Sequence, residues 1–392
     1  MVKEFLKKII LHLLHQIHLK RKYIVFESYP DYDGSPWMIH QELTKRNYDK
    51  KYKFIWFTGD DCQYKDGTTS KIFFGKKSLI NSIKFHIILW NTKLIIDSNR
   101  YIEKENPQTI RLHTRHGGTL KKADSYSNAI GMVDYILSLS DEMAKIEAES
   151  VYRNTIINPS NFLTLGYPNN DRLFDNNNPN ICNFIHQITE NNVNYKKIIG
   201  WMPTFRKHKE NNRIDSSKEL PLGLPLLYKS KDVNELNSFL QKRNILLVIK
   251  IHHAQLVEHH FSNLSNIIII PKDIQDQMSI STMDLLKSFD ALITDYSSIY
   301  HEFILLNRPT ALSIDDIESY SSGTGFSIDY FEWIKGVYLK TAADIFNFID
   351  EVAKGIDSAK KEREASKLRI HKYIDNKSTQ RVVDFLEKKA KL

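Results

Sequence analysis

Short runs of apolar, β-branched residues alternate along this chain with longer segments whose apolar positions recur every three to four residues. That alternation is the pattern of a parallel sheet wrapped by helices. In the first half it predicts strands at Tyr23 to Glu27, Phe54 to Thr58, Leu94 to Asp97, Thr109 to His113, Tyr135 to Leu139 and Phe162 to Leu165. In the second half it predicts strands at Ile198 to Met202, Leu246 to Ile251, Ile267 to Ile270, Ala291 to Thr294, Thr310 to Ser313 and Gly336 to Leu339. Helices are expected at Val233 to Lys242, Thr282 to Phe289, Ser298 to Leu306 and Ala342 to Lys354, followed by a charged helical tail from Lys360 to Lys389. The polar, turn-rich stretch DNNNPN, Asp175 to Asn180, separates the two series. The simplest architecture is an α/β protein with two Rossmann-like domains facing a cleft, residues 23–185 and 186–392.

The first 22 residues follow a different pattern. Val2, Phe5, Leu6, Ile9, Ile10, Leu13, Leu14 and Ile17 recur at helical spacing among Lys3, Lys7, Lys8, Lys20, Arg21 and Lys22. Interrupted by His12, His15 and His18, the apolar runs fall short of the roughly 20 residues that span a bilayer, and no small-residue cleavage site follows. The segment reads either as an in-plane amphipathic helix on a membrane or as a helix packed on the protein's own core.

At 392 residues, 41% hydrophobic and 26% charged, the chain is long enough for two cores. Cys62 and Cys182 sit in no redox or metal-ligand spacing, which points to a reducing, cytoplasmic compartment. A net charge of +8 implies an anionic partner. Nucleic acid is the weakest choice, because no basic tract interleaved with aromatics and no zinc-finger, RRM or KH signature is present. Acidic lipid and phosphorylated substrates remain.

In open α/β sheets, ligands bind beyond the carboxyl ends of the strands. After the strand ending at His113 comes TRHGGTLKK: His116 suits a general base, Gly117 and Gly118 let the backbone approach a ligand, and Lys121 adds charge. A surface turn with an incidental histidine reads equally from these residues alone. After Met202, Thr204 and Arg206 offer a hydroxyl and a planar fork for phosphate, or simply form a solvated basic loop. After Ile251 come His252 and His253, either site residues or structural ones. The run ALITDYSSIYHEF, Ala291 to Phe303, takes a strand through Asp295, Ser297 and Ser298 into a helix, a junction whose free N–H groups and hydroxyls suit an anion. Asp295 reads as a turn-orienting residue, and Glu302 as an acceptor for ribose hydroxyls or a solvent-facing carboxylate.

Walker, GxGxxG, HExxH and CxxC patterns are all missing, which argues against P-loop hydrolysis, dinucleotide-dependent redox chemistry and zinc catalysis. The acidic pairs Asp60-Asp61 and Asp315-Asp316 read as solvated turns, so neither a metal nor a cofactor is expected.

In order along the chain, FESYPDYDGSPWMIHQEL, HGGTLKK, LGYPNNDRLF, MPTFRK, IKIHH and ITDYSSIYHEF resemble the CDP-glycerol glycerophosphotransferase family of teichoic acid and capsule synthesis, over roughly Tyr23 to Trp333. The resemblance implies a GT-B-like fold and transfer of a polyol phosphate, glycerol phosphate first, from a CDP-linked donor to a lipid-linked saccharide or growing polymer, with release of CMP. It implies a place on the inner face of the cell membrane, which would give the N-terminal helix a purpose. On matched positions, His116 stands for the family's base and His252 for its second histidine. Thr204, Arg206, Ser297 and Ser298 stand for donor-phosphate positions, and Glu302 stands where the family usually has Asp. The chain departs at Gly118-Thr119 in place of Thr-Pro, at His253 in place of proline, and at Asn169 in place of arginine. A GT-B glycosyltransferase using a nucleotide sugar and a non-catalytic, membrane-associated binding protein are the competing readings.

Overall fold

The computed structural model describes residues 21–59, 70–73, 79–100, 102–122, 133–150, 158–175, 184, 188, 195–206, 214–251, 264–270 and 280–392, with backbone only at 70–73 and 79–82. The chain forms two compact units. One comprises Met1–His116, Ser125–Asp171 and Asp375–Leu392, the other Gly117–Asp124 and Arg172–Ile374. This differs from a single boundary after residue 185: the glycine segment after His116 belongs to the second unit, and the end of the chain returns to the first.

The first unit is built on seven strands: β1 (Tyr23–Phe26), β2 (Lys53–Thr58), β3 (Ser70–Phe73), β4 (Thr92–Asp97), β5 (Ile110–His113), β6 (Tyr135–Leu137) and β7 (Phe162–Leu163). All pair in parallel, in the order β3-β2-β1-β4-β5-β6-β7. The second unit has six: β8 (Lys197–Trp201), β9 (Ile245–Ile249), β10 (Ile267–Ile269), β11 (Ala291–Thr294), β12 (Thr310–Ser313) and β13 (Val337–Leu339). They are also parallel, in the order β10-β9-β8-β11-β12-β13. Each unit thus winds outward in both directions from its first strand, the doubly wound topology with its switch point beside that strand.

Alternation along β9 shows why such strands read as continuous apolar runs. Ile245, Leu247 and Ile249 pack with Leu236, Leu240 and Phe348 on one face of the sheet, while Leu246 and Val248 pack with Leu286, Phe289 and Phe303 on the other. Each fully buried side chain of this size contributes about 1.5–3 kcal/mol. A smaller cluster in the first unit joins Val25, Ile55, Phe57, Ile88, Leu89 and Ile95.

The charged tail is two helices, Lys360–Ile370 and Ser378–Ala390, not one. His371 breaks it: the residue is extended and buried, its Nε2 lies 2.7 Å from the carbonyl of His301, and burial holds its pKa down at about 4. The last helix buries Val382, Val383 and Leu386 at helical spacing and packs on the helix Gly34–Lys45. Its start is capped from far away in sequence, because the Asp171 carboxylate accepts the N–H groups of Ser378 and Thr379 at 3.0 and 2.7 Å.

Candidate functional site

In the second unit the switch point lies between β8 and β11. The residues that follow these two strands form one closed polar network. Asp295, fully buried, accepts Thr204 N–H and Thr204 Oγ1 at 3.0 Å and Arg206 Nη1 at 2.9 Å. Arg206 turns the rest of its fork to Asp316, with Nε to Oδ2 at 2.7 Å and Nη2 to Oδ1 at 3.0 Å. Ser216 Oγ and Tyr296 OH also donate to Asp316, at 2.7 and 2.9 Å. Burial works against the charges of Arg206 and Asp316. Their mutual attraction prevails, so the guanidinium pKa rises and the Asp316 pKa falls below the ordinary carboxylate value, helped by the Ser216 and Tyr296 hydrogen bonds.

This arrangement corrects three expectations. Arg206 is 3% exposed and its planar fork is engaged by two carboxylates, so it is a buried strut and not an open phosphate clamp. Thr204 and Asp295 hold each other inward for the same reason. The pair Asp315-Asp316 is no solvated turn: Asp316 holds Arg206, and Asp315 holds Lys218 at 2.7 Å.

Beyond β11 the expected helix from Ser298 to Leu306 is a five-residue α-helix, Ile299–Phe303, followed by a 3-10 turn, Ile304–Leu306. Ser297 and Ser298 are half-buried, and neither caps the helix in the usual way; Ser297 Oγ accepts the N–H of Ile299 at 3.4 Å. The glycine segment packs here. Gly117 has φ of +145°, and a Cβ on it would lie 2.7 Å from Ser298 Oγ, so the close approach needs glycine. Glu302 does not face solvent. It is 4% exposed and accepts the N–H of Gly118, and its burial leaves no surface for a ribose hydroxyl to reach. Desolvation raises its carboxyl to about 8, against the lowering effect of its own and the Gly118 N–H groups. Lys121 lies 3.6 Å from Asp215 and over the rings of Tyr320 and Phe205 at 5.4 and 5.7 Å, while its backbone pairs with Phe326.

In the first unit the switch point lies between β1 and β4. Glu27 follows β1 and is fully buried; Asp97 ends β4 and is fully buried. Asp97 Oδ1 lies 2.6 Å from His113 Nδ1, and its Oδ2 accepts Arg111 Nε at 2.8 Å. Burial, with Arg111 and Arg115 nearby, holds the His113 pKa below the ordinary histidine value despite Asp97. His116 is exposed, and its Nδ1 lies 3.2 Å from the Ser98 carbonyl oxygen. A carbonyl only accepts, so Nδ1 carries the proton and Nε2 presents a lone pair. Desolvation pushes the His116 pKa down, the hydrogen bond to the Ser98 carbonyl opposes it, and His113 and Arg115 lower it further. Neutral imidazole is therefore the resting form near pH 7.

Within the second unit the structure brings Gly117, Lys121, Ser297, Ser298 and Glu302 to one region, and Thr204, Arg206 and Asp295 to its supporting frame. His116 stands in the first unit, and His252 lies outside the described residues. Sequence reasoning passed over Glu27 and Asp97, and misplaced Asp316 on a solvated turn. The strand-end rule applied to the first and third expected strands would have found Glu27 and Asp97.

The model of the family described as CDP-Glycerol:Poly(glycerophosphate) glycerophosphotransferase matches residues 9–388. The chain is 26% identical over 332 residues to a teichoic acid glycerol-phosphate primase of Bacillus subtilis strain 168, covering 80% of this chain and 78% of that protein. It is 26% identical over 346 residues to a teichoic acid poly(glycerol phosphate) polymerase of Staphylococcus epidermidis, covering 81% of this chain but 44% of that longer protein. Among solved structures, the wall teichoic acid polymerase TagF superposes with a TM-score of 0.75 at 20% identity, over 100% of this chain and 96% of that one, a likeness of fold.

Proposed function

The chain belongs to the CDP-glycerol:poly(glycerophosphate) glycerophosphotransferase family, and from that membership we propose how its residues divide the reaction. The enzyme transfers glycerol phosphate from CDP-glycerol to a hydroxyl of a lipid-linked saccharide or growing polymer. His116 Nε2 takes the proton of the acceptor hydroxyl, whose oxygen attacks the glycerol-bearing phosphorus. The bond from that phosphorus to the bridging oxygen breaks, and CMP departs with the electron pair. The observation that carries this reading is the His116 Nδ1 contact to the Ser98 carbonyl, which leaves the other ring nitrogen basic on an exposed residue.

A departing phosphate monoester has a second pKa of about 6, so it needs charge stabilisation more than a proton. The Ser297 and Ser298 hydroxyls, the backbone at Gly117 and Gly118, and Lys121 serve that need, with His252 as a further donor. Glu302, with its carboxyl raised to about 8, is neutral near pH 7 and sets no negative charge against the phosphates. Thr204, Arg206, Asp295 and Asp316 act as the frame that holds the strand ends.

The first 22 residues attach the enzyme to an anionic membrane surface. No helix among the described residues is long and apolar enough to cross a membrane, and Arg21 and Lys22 continue the basic character of the segment. Deleting Met1 to Lys22 should abolish binding to vesicles containing phosphatidylglycerol; unchanged binding would refute the attachment. The transfer reading is tested by measuring CMP released from CDP-glycerol and from CDP-ribitol with lipid-linked saccharide acceptors. Acceptor-dependent CMP release from CDP-glycerol is expected, and its absence with every acceptor would sink the proposal.

A further inference from the structure

Glu27 sits at the first unit's switch point with no assigned task, yet a buried carboxylate is costly to keep. Its Oε2 accepts three consecutive backbone N–H groups, those of Ser98, Asn99 and Arg100, at 3.3, 3.1 and 2.9 Å. Its Oε1 is buried with no hydrogen-bond partner among the described residues. Core packing does not require this, since β1 is already anchored by the Glu27 N–H donating to the Ile96 carbonyl at 3.0 Å. What Oε2 grips is the turn that presents the Ser98 carbonyl to His116.

The link is covalent and stiff. The Ser98 carbonyl and the Asn99 N–H belong to one peptide group, and in a planar trans peptide they point in opposite directions. One end of that plane is held by Glu27 at 3.1 Å and the other accepts His116 Nδ1 at 3.2 Å. The neighbouring acid, Asp97, is spent on His113 and Arg111. We propose that Glu27 is the positioning residue of His116, acting through the peptide between Ser98 and Asn99 as the carboxylate of a carboxylate–histidine pair acts directly. A negative charge at the N–H end also polarises the peptide and makes the Ser98 carbonyl a stronger acceptor, which favours the Nδ1–H tautomer. Burial, with the Asp97 charge adding to it, raises the Glu27 carboxyl to about 7 while the three N–H groups oppose the rise. The carboxylate form that makes the pair therefore grows as pH rises through about 7.

The inference rests on His116 being the base, so the test reads the histidine itself as well as turnover. Full-length protein labelled with 15N-histidine, with the His116 signal assigned against His116→Asn, gives the tautomer directly. Glu27→Ala should lose the Nδ1–H preference and lower kcat on the order of 100-fold, with KM for CDP-glycerol little changed. Glu27→Gln keeps an acceptor oxygen for the three N–H groups and should restore the tautomer and most of kcat. If Glu27→Ala does not fold, Glu27→Asp decides: it keeps the charge but withdraws it by one methylene, and the tautomer preference should weaken. A wild-type tautomer in Glu27→Ala or Glu27→Asp, or a Glu27→Gln enzyme as impaired as Glu27→Ala, overturns the proposal. Normal turnover by His116→Ala would instead refute the choice of base, leaving the tautomer result to judge Glu27 on its own.

Discussion

The two switch points share a topology and differ in how they treat charge. In the second unit, Arg206 is locked between Asp295 and Asp316, and Ser216, Tyr296 and Thr204 complete the set. In the first unit, Glu27 keeps a buried oxygen with no partner among the described residues, and His116 stays exposed and neutral. One network is closed and holds strand ends in place; the other keeps proton-accepting capacity. A shared fold thus says where to look for chemistry, and incomplete hydrogen bonding marks the first unit's switch point as the candidate to test.

Substitutions break or sharpen this contrast. His116→Ala should lower acceptor-dependent CMP release by about 10²–10⁴-fold, with little change in melting temperature; a large loss of stability with normal turnover would erase the distinction between the units. Asp295→Ala leaves Arg206 to Asp316 alone and takes the acceptor from the buried Thr204 N–H, and should cost about 3–5 kcal/mol in denaturant unfolding; a cost near zero would mean the network is solvated.

Glu302→Gln tests the proton held in the second unit. Because the folded-state carboxyl is raised from 4.5 to about 8, the folded protein binds more protons than the unfolded chain within that window. Its contribution to stability is therefore lost as pH rises from the lower value through the upper. Glu302→Gln should flatten that fall in melting temperature, and an unchanged slope would place the proton elsewhere. Thr204→Val removes the hydroxyl that donates to Asp295 and accepts Arg206 Nη1 at 2.9 Å, and should cost about 1–3 kcal/mol with turnover retained. A drop in turnover beyond about tenfold would show that Thr204 touches the donor and that the network is less closed than its hydrogen bonds indicate.

Most strands were legible because each is a continuous apolar run buried on two faces, as β9 illustrates. β3 was missed: Ser70-Lys71-Ile72-Phe73 is short and half polar, and it lies at a sheet edge. Strand-end reasoning found His116, Arg206 and Ser298, but one-dimensional spacing does not reveal who pairs with whom. Arg206 read as a phosphate fork because its partners lie 89 and 110 residues away. Glu302 read as a surface carboxylate because nothing local announces that the N–H of Gly118, 184 residues earlier, will bond to it. Asp171, part of a motif shared with the family, finds its reason only in a helix start more than 200 residues later.

That last contact has a consequence for biosynthesis. The helix Ser378–Ala390 belongs to the first unit but is made after the whole second sheet. A nascent chain emerging from the ribosome presents Asp171 and the helix Gly34–Lys45 without the helix that later packs on them, while the second unit already has all its strands. Completion of the first unit is thereby deferred until after the second sheet has been made.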